Sequence, residues 1–109
     1  MQIETETTSD ATIINPSGDV DLSVSRELQA AVKKVMEEKP QRVIVNLAGV
    51  PYMDSSGVAT LVEAMQIARK QETRLVLCGM QDKVRSIFEI ARLDKVFTIV
   101  DDAGAAASA

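Results

Sequence analysis

Apolar positions along this chain switch between two spacings. In MQIETETT, Ile3 stands alone among polar and β-branched residues, the pattern of a short edge strand. Ser9–Asp10 reads as a turn, and ATIINPSGDV then carries Ile13, Ile14 and Val20 around Pro16 and Gly18. Two short strands across a turn predict an opening hairpin. Pro16 cannot donate to a ladder, so its strand ends, bulges or lies at an edge there. From Leu22 to Lys39 the spacing becomes helical. Leu28, Ala31, Val32, Val35 and Met36 form one stripe, Asp21 or Ser23 can cap its start, and Pro40 stops it. QRVIVNLAGV is almost unbroken in Val43, Ile44, Val45 and Leu47, as expected of a strand buried on both faces. A second helical stripe follows in Val58, Leu61, Val62, Met65 and Ala68, running to about Gln71. TRLVLCG reads as another buried strand, MQDKVRSIFEIARL as a helix with Val84, Ile87, Phe88 and Ala91 inward, and KVFTIV as a last strand.

The order is β-β-α-β-α-β-α-β. It predicts an α/β domain with a mixed central sheet of about five strands and helices packed on it. One domain is expected over residues 1–100. DDAGAAASA has too little bulk to bury, so 101–109 is expected to be a flexible C-terminal tail.

Composition narrows the chemistry. Aromatics are 3% of the 109 residues, so the core is aliphatic and no stacking platform for nucleic acid is available. The net charge of -4 argues against nucleic acid as a partner, since phosphate backbones need a basic field. Histidine is absent, which removes Ser-His-Asp and Cys-His nucleophiles. The lone Cys78 cannot hold a zinc and lies in an apolar run, as a buried core thiol does. No catalytic residues, no metal ligands and no cofactor site are expected. No apolar run approaches the ~20 residues of a membrane span, and the polar N-terminus does not resemble a signal peptide. A cytoplasmic protein without membrane insertion is the expectation.

One polar segment stands between a very apolar strand and a very apolar helix: Asp54, Ser55, Ser56 and Gly57. Such a sequence is first of all a helix cap, with Asp54 or Ser55 accepting an N2 or N3 backbone N–H. The strand end is also where α/β sheets collect ligands and chemistry. A helix N-terminus carries partial positive charge and tolerates an anion, so a serine there suits phosphorylation. Gly57 allows close approach in the first helical turn. Tyr52 and Met53 place apolar bulk just ahead of the turn, either as core or as a contact patch. GDVD at Gly18–Asp21 is a second turn and cap that can bring Asp19 and Asp21 nearby.

Taken together, INPSGDVDLSVSRELQAAV, VIVNLAGVPYMDSSGVATLV and RLVLCGMQDKVRSIFEIARLDKVFTIVDD resemble the STAS domains of sulfate transporters and anti-sigma factor antagonists. The resemblance covers about Gln2 to Val100. The family often has Leu where Val58 stands and Ser at the alanine of NLAG. The resemblance implies a single-domain anti-sigma factor antagonist, a binding module and not an enzyme. Its partner would be an anti-sigma factor serine kinase that binds ATP itself and is released from its sigma factor. Phosphorylation at Ser55 would end binding, and a phosphatase would restore it. Partner-binding residues implied are Asp19, Asp21, Met53, Asp54, Ser55, Ser56 and Gly57, in a monomer or weak homodimer.

Other readings remain open at this point. Some single STAS proteins resemble subunits docking on the ATPase of a lipid-transport ABC system, through the helix from Gly57 to Gln71. A receiver-like phospho-acceptor would instead use Asp54 for an acyl phosphate, with Asp19 and Asp21 as its acidic pair. A small ligand at the strand ends would find only Lys83 and Arg85 as cations.

Overall fold

The computed structural model describes residues 1–109 throughout. The opening hairpin forms as expected: β1 (Gln2–Thr7) pairs antiparallel with β2 (Thr12–Ser17). Then follow α1 (Ser25–Glu37), β3 (Arg42–Asn46), α2 (Ser55–Gln71), β4 (Arg74–Cys78), α3 (Asp82–Ile90), β5 (Thr98–Val100) and α4 (Ala103–Ala106). The strands make one five-stranded sheet in the order β1-β2-β3-β4-β5, parallel from β2 to β5. This is the mixed α/β sheet that the alternation of periods predicts. Pro16 lies within β2, but the β2–β3 ladder runs only from Thr12↔Val43 to Ile14↔Val45, so its missing donor falls past that pairing.

Strand β3 is buried on both faces, and its side chains alternate between two apolar clusters. Val43 and Val45 join the main core with Leu28, Met36, Leu61, Leu77 and Phe88, which brings α1, α2 and α3 to one face of the sheet. Phe88 and Phe97 meet edge to face at 5.5 Å within it. Ile44 belongs to the smaller cluster on the other face, with Ala11, Val76, Cys78 and Ala106. Helices α1 and α2 are also linked at their rims. Gln29 Nε2 donates to Glu63 Oε2 at 2.8 Å, and Lys33 lies 3.2 Å from Glu63.

Three expectations are corrected. Helix α1 begins at Ser25 behind Val24, which gives no side-chain cap; Asp21 and Ser23 close the turn before it instead. The α2 stripe is turned toward its small residues: Gly57, Thr60 and Ala64 are buried, whereas Val62 and Met65 are half-buried. Residues 103–106 are not a frayed tail. They form α4, capped by the Asp102 carboxylate on Ala105 N–H at 2.8 Å, with Ala106 fully buried against the sheet. Small side chains suffice there because the helix lies close to the sheet. No helix is long and apolar enough to cross a membrane.

Candidate functional site

The segment between β3 and α2 folds around Asp54. Its backbone is extended at φ -96° and ψ -174°, so it stands just outside the helix as the N-cap. Its Oδ1 accepts the Ser56 N–H at 2.9 Å, the Ser56 hydroxyl at 2.5 Å and, more weakly, the Gly57 N–H at 3.4 Å. The Ser56 hydroxyl holds its carboxyl below the ordinary value of 3.8, against some desolvation. The backbone N–H groups of Ser56, Gly57 and Leu22 add to the lowering.

This arrangement separates the two serines. Ser56 is half-buried and its hydroxyl is committed to Asp54. Ser55 is the first residue of α2, is exposed, and its hydroxyl has no hydrogen-bond partner within the chain. Sequence left the cap open between Asp54 and Ser55; the geometry gives it to Asp54.

Beneath the turn the packing is tight. A Cβ on Gly57 would stand 2.5 Å from Met53 Cγ and 2.8 Å from Val20 Cγ1. Glycine therefore lets the first turn of α2 lie on the core. Met53 is fully buried, which corrects its place among the partner-binding residues: it supports the site from inside. Gly57 is buried too and offers no side chain to a partner. Tyr52 is 45% exposed, so the Tyr52–Met53 pair divides into one surface and one core residue.

The β2–α1 turn lies alongside. Val20 bridges Met53 in parallel, with Val20 N–H on Tyr52 O at 2.9 Å and Asp54 N–H on Val20 O at 3.0 Å. Gly18 allows the chain to turn into this position at φ +105°. The next residue, Asp21, repeats what Asp54 does: its Oδ1 accepts the Ser23 N–H at 2.9 Å and the Ser23 hydroxyl at 2.5 Å. The carbonyls match as well. Asp21 O accepts from Val24 N–H at 3.1 Å, and Asp54 O from Gly57 N–H at 3.1 Å. Two Asp-x-Ser turns thus stand side by side, with Asp21 half-buried and Asp19 exposed just before the bridge. The structure brings Asp21, Asp54, Ser55 and Ser56 to one end of the sheet, with Asp19 in the same loop. Neither loop, 18–24 or 48–57, contains a lysine or arginine.

Sequence reasoning missed the exposed apolar residue of this end. Leu22, between Asp21 and Ser23, is 76% exposed. Its signal was the repeated Asp-x-Ser spacing.

The STAS domain family model matches residues 2–106. An anti-sigma-B factor antagonist of Staphylococcus epidermidis is 29% identical over 93 residues, 85% of this chain and 86% of that protein. The crystal structure of an anti-sigma factor antagonist from Mycobacterium paratuberculosis superposes with a TM-score of 0.91 at 19% identity, covering 98% of this chain and 91% of that one. The structure of the Bacillus cell fate determinant SpoIIAA in its phosphorylated form superposes with a TM-score of 0.73 at 20% identity, covering 95% and 96%. With the family model spanning nearly the whole chain over this sheet order and turn, the chain belongs to the STAS domain family.

Proposed function

We propose that this chain is an anti-sigma factor antagonist switched by phosphorylation at Ser55. The observation that carries the reading is the unengaged, exposed Ser55 hydroxyl beside a Ser56 hydroxyl held by the cap. A relative named as an anti-sigma-B factor antagonist and a structural neighbour solved in a phosphorylated form support it. The partner is an anti-sigma factor with serine kinase activity. Unphosphorylated, the chain occupies that partner and the sigma factor is released.

The transfer itself belongs to the kinase. Ser55 Oγ forms a bond to the γ-phosphorus of ATP bound on the partner, the bond from that phosphorus to the bridging oxygen breaks, ADP leaves, and the hydroxyl proton passes to a base of the kinase. The phosphoryl group then brings roughly -1.5 to -2 charges to a helix start. The α2 dipole favours an anion there, so the fold survives. The amides of Ser56 and Gly57 are already taken by Asp54, and both loops lack a cation. The new charge stays on the surface among Asp19, Asp21 and Asp54 and repels a partner shaped for a hydroxyl. A phosphatase reverses the step. The chain acts as a cytoplasmic binding module, monomeric or weakly dimeric, and performs no catalysis.

Mass spectrometry of partners captured from cells by the wild-type chain tests this. An anti-sigma kinase with phosphate on Ser55 is the expected result; an ABC-system ATPase with no phosphate would overturn it. The receiver-like alternative is disfavoured by Asp54, whose Oδ1 is engaged as a cap, and by the opening antiparallel hairpin.

A further inference from the structure

The geometry points to Leu22 as a recognition residue for the kinase that phosphorylates Ser55, one that enters an apolar socket beside the kinase's phosphoryl-transfer site. This rests on the Ser55 reading above and names what the partner must offer around the acceptor.

Leu22 and Ser55 are positional counterparts. Each is the middle residue of an Asp-x-Ser turn, two residues past the Val20↔Met53 bridge. In both turns the flanking aspartate grips the following serine with the same pair of bonds, 2.9 Å from the amide and 2.5 Å from the hydroxyl. The middle side chains therefore project from two matched, braced turns on neighbouring chain segments. Chain segments paired in this way run about 5 Å apart. A surface that closes over Ser55 must meet Leu22 as well.

Leu22 has no structural reason to be apolar, since it is 76% exposed and packs in neither core cluster. The other exposed large apolar side chains divide by location. Tyr52 lies in the strand-end loop leading to Asp54, whereas Val96 lies beside Arg74 at the opposite end of the sheet, and Ile90 closes the far end of α3. The two loops around the acceptor thus combine acidic residues and no cation with an exposed aliphatic side chain on a braced turn and an aromatic one. Its complement is a surface with a basic rim around an apolar socket, next to bound ATP.

The experiment uses the purified full chain and the purified anti-sigma kinase identified in the capture above, with ATP. Leu22→Ala is expected to raise KM for Ser55 phosphorylation roughly 10- to 100-fold and to weaken Kd by a similar factor, the worth of one buried leucine side chain. kcat should stay within about twofold, because the acceptor turn is untouched. Leu22→Met should restore KM to within about threefold, and Ile90→Ala, at the far end, should leave it unchanged. If Leu22→Ala is phosphorylated with wild-type KM, or loses only kcat, the Leu22 assignment is overturned while the Ser55 reading stands. If the kinase fails to phosphorylate wild-type Ser55, both fall together. Thermal melting of each variant checks the fold, and Leu22→Met keeps the comparison decisive if Leu22→Ala melts early.

Discussion

The Asp54 carboxylate takes the Ser56 hydroxyl at 2.5 Å and leaves that of Ser55, one residue away, to solvent. One acid thereby fixes the helix start and decides which serine a partner can reach. Ser55→Ala should abolish phosphate incorporation while moving stability by less than about 0.5 kcal/mol, as an exposed substitution does. Ser56→Ala should keep Ser55 as acceptor and lower the melting temperature by weakening the cap. Phosphopeptide mapping of both variants after kinase treatment checks the assignment. Phosphate on Ser56 in the Ser55→Ala chain would contradict it.

The charge effect can be isolated. Ser55→Asp places a carboxylate at the first turn of α2, where the dipole tolerates it, and should fold with wild-type far-UV circular dichroism. It should bind the kinase at least tenfold more weakly than Ser55→Ala. Equal binding of the two in a titration would mean that surface charge is not the switch.

Asp54 also predicts a pH dependence. Its pKa is lowered in the folded state, chiefly by the Ser56 hydroxyl. Its contribution to stability is therefore complete above the ordinary value of 3.8 and is lost as pH falls below that through the folded-state pKa. Asp54→Asn removes the titrating group and should flatten this part of the stability curve. Ser56→Ala should move the Asp54 carboxyl titration upward, toward its ordinary value. Carbon NMR of the Asp54 carboxyl and urea melts between about pH 2 and 6 measure both effects.

Gly57 should resist substitution. Alanine normally gains about 1 kcal/mol over glycine inside a helix. Here its Cβ would stand 2.5 Å from Met53 Cγ and 2.8 Å from Val20 Cγ1. Overpacking of this kind costs about 1–3 kcal/mol, so Gly57→Ala should destabilise on balance. Met53→Ala removes the nearest clash, and the double variant should be less unstable than the two single losses added. Strict additivity in urea melts would show that the two positions do not press on each other.

The parts legible from sequence were those set by local chemistry. Val43, Ile44 and Val45 announced a strand buried on both faces, and the helical stripes gave three helices and the sheet's order of elements. Asp54 and Ser55 were legible as the two candidate caps because capping is decided within a few residues, whereas the acceptor role proposed for Ser55 was what the family resemblance implied. What was missed depended on tertiary placement. Met53 sits next to a polar turn, yet its pairing with Val20 carries it inside. Asp21 resembles a helix cap, but it closes a turn that copies the Asp54 turn across a parallel bridge. Leu22 was passed over because its only signal, an Asp-x-Ser spacing repeated at Asp54, gains meaning once the Val20↔Met53 bridge sets the two turns side by side. The alanine-rich end was read as a flexible tail from its lack of bulk, although an open sheet face next to Ile44 and Val76 accepts small side chains.

That last misreading leads to a test of the second core. Ala106 packs against the sheet in the cluster that contains Cys78, and both are fully buried. Burial, with a smaller effect of the nearby Asp102 charge, pushes the Cys78 thiol above its ordinary range, so the reactive thiolate is scarce at neutral pH. Wild-type Cys78 should therefore react with a thiol reagent only when α4 opens, at a rate far below that of the unfolded chain. Ala106→Glu would place a charge in the apolar contact and should raise that rate at least tenfold. The main core would persist, since α1, α2 and α3 lie on the other face. Circular dichroism beside the labelling kinetics separates the two effects: fast labelling with retained α1–α3 helicity is expected, whereas unchanged labelling would mean that α4 does not shield the thiol.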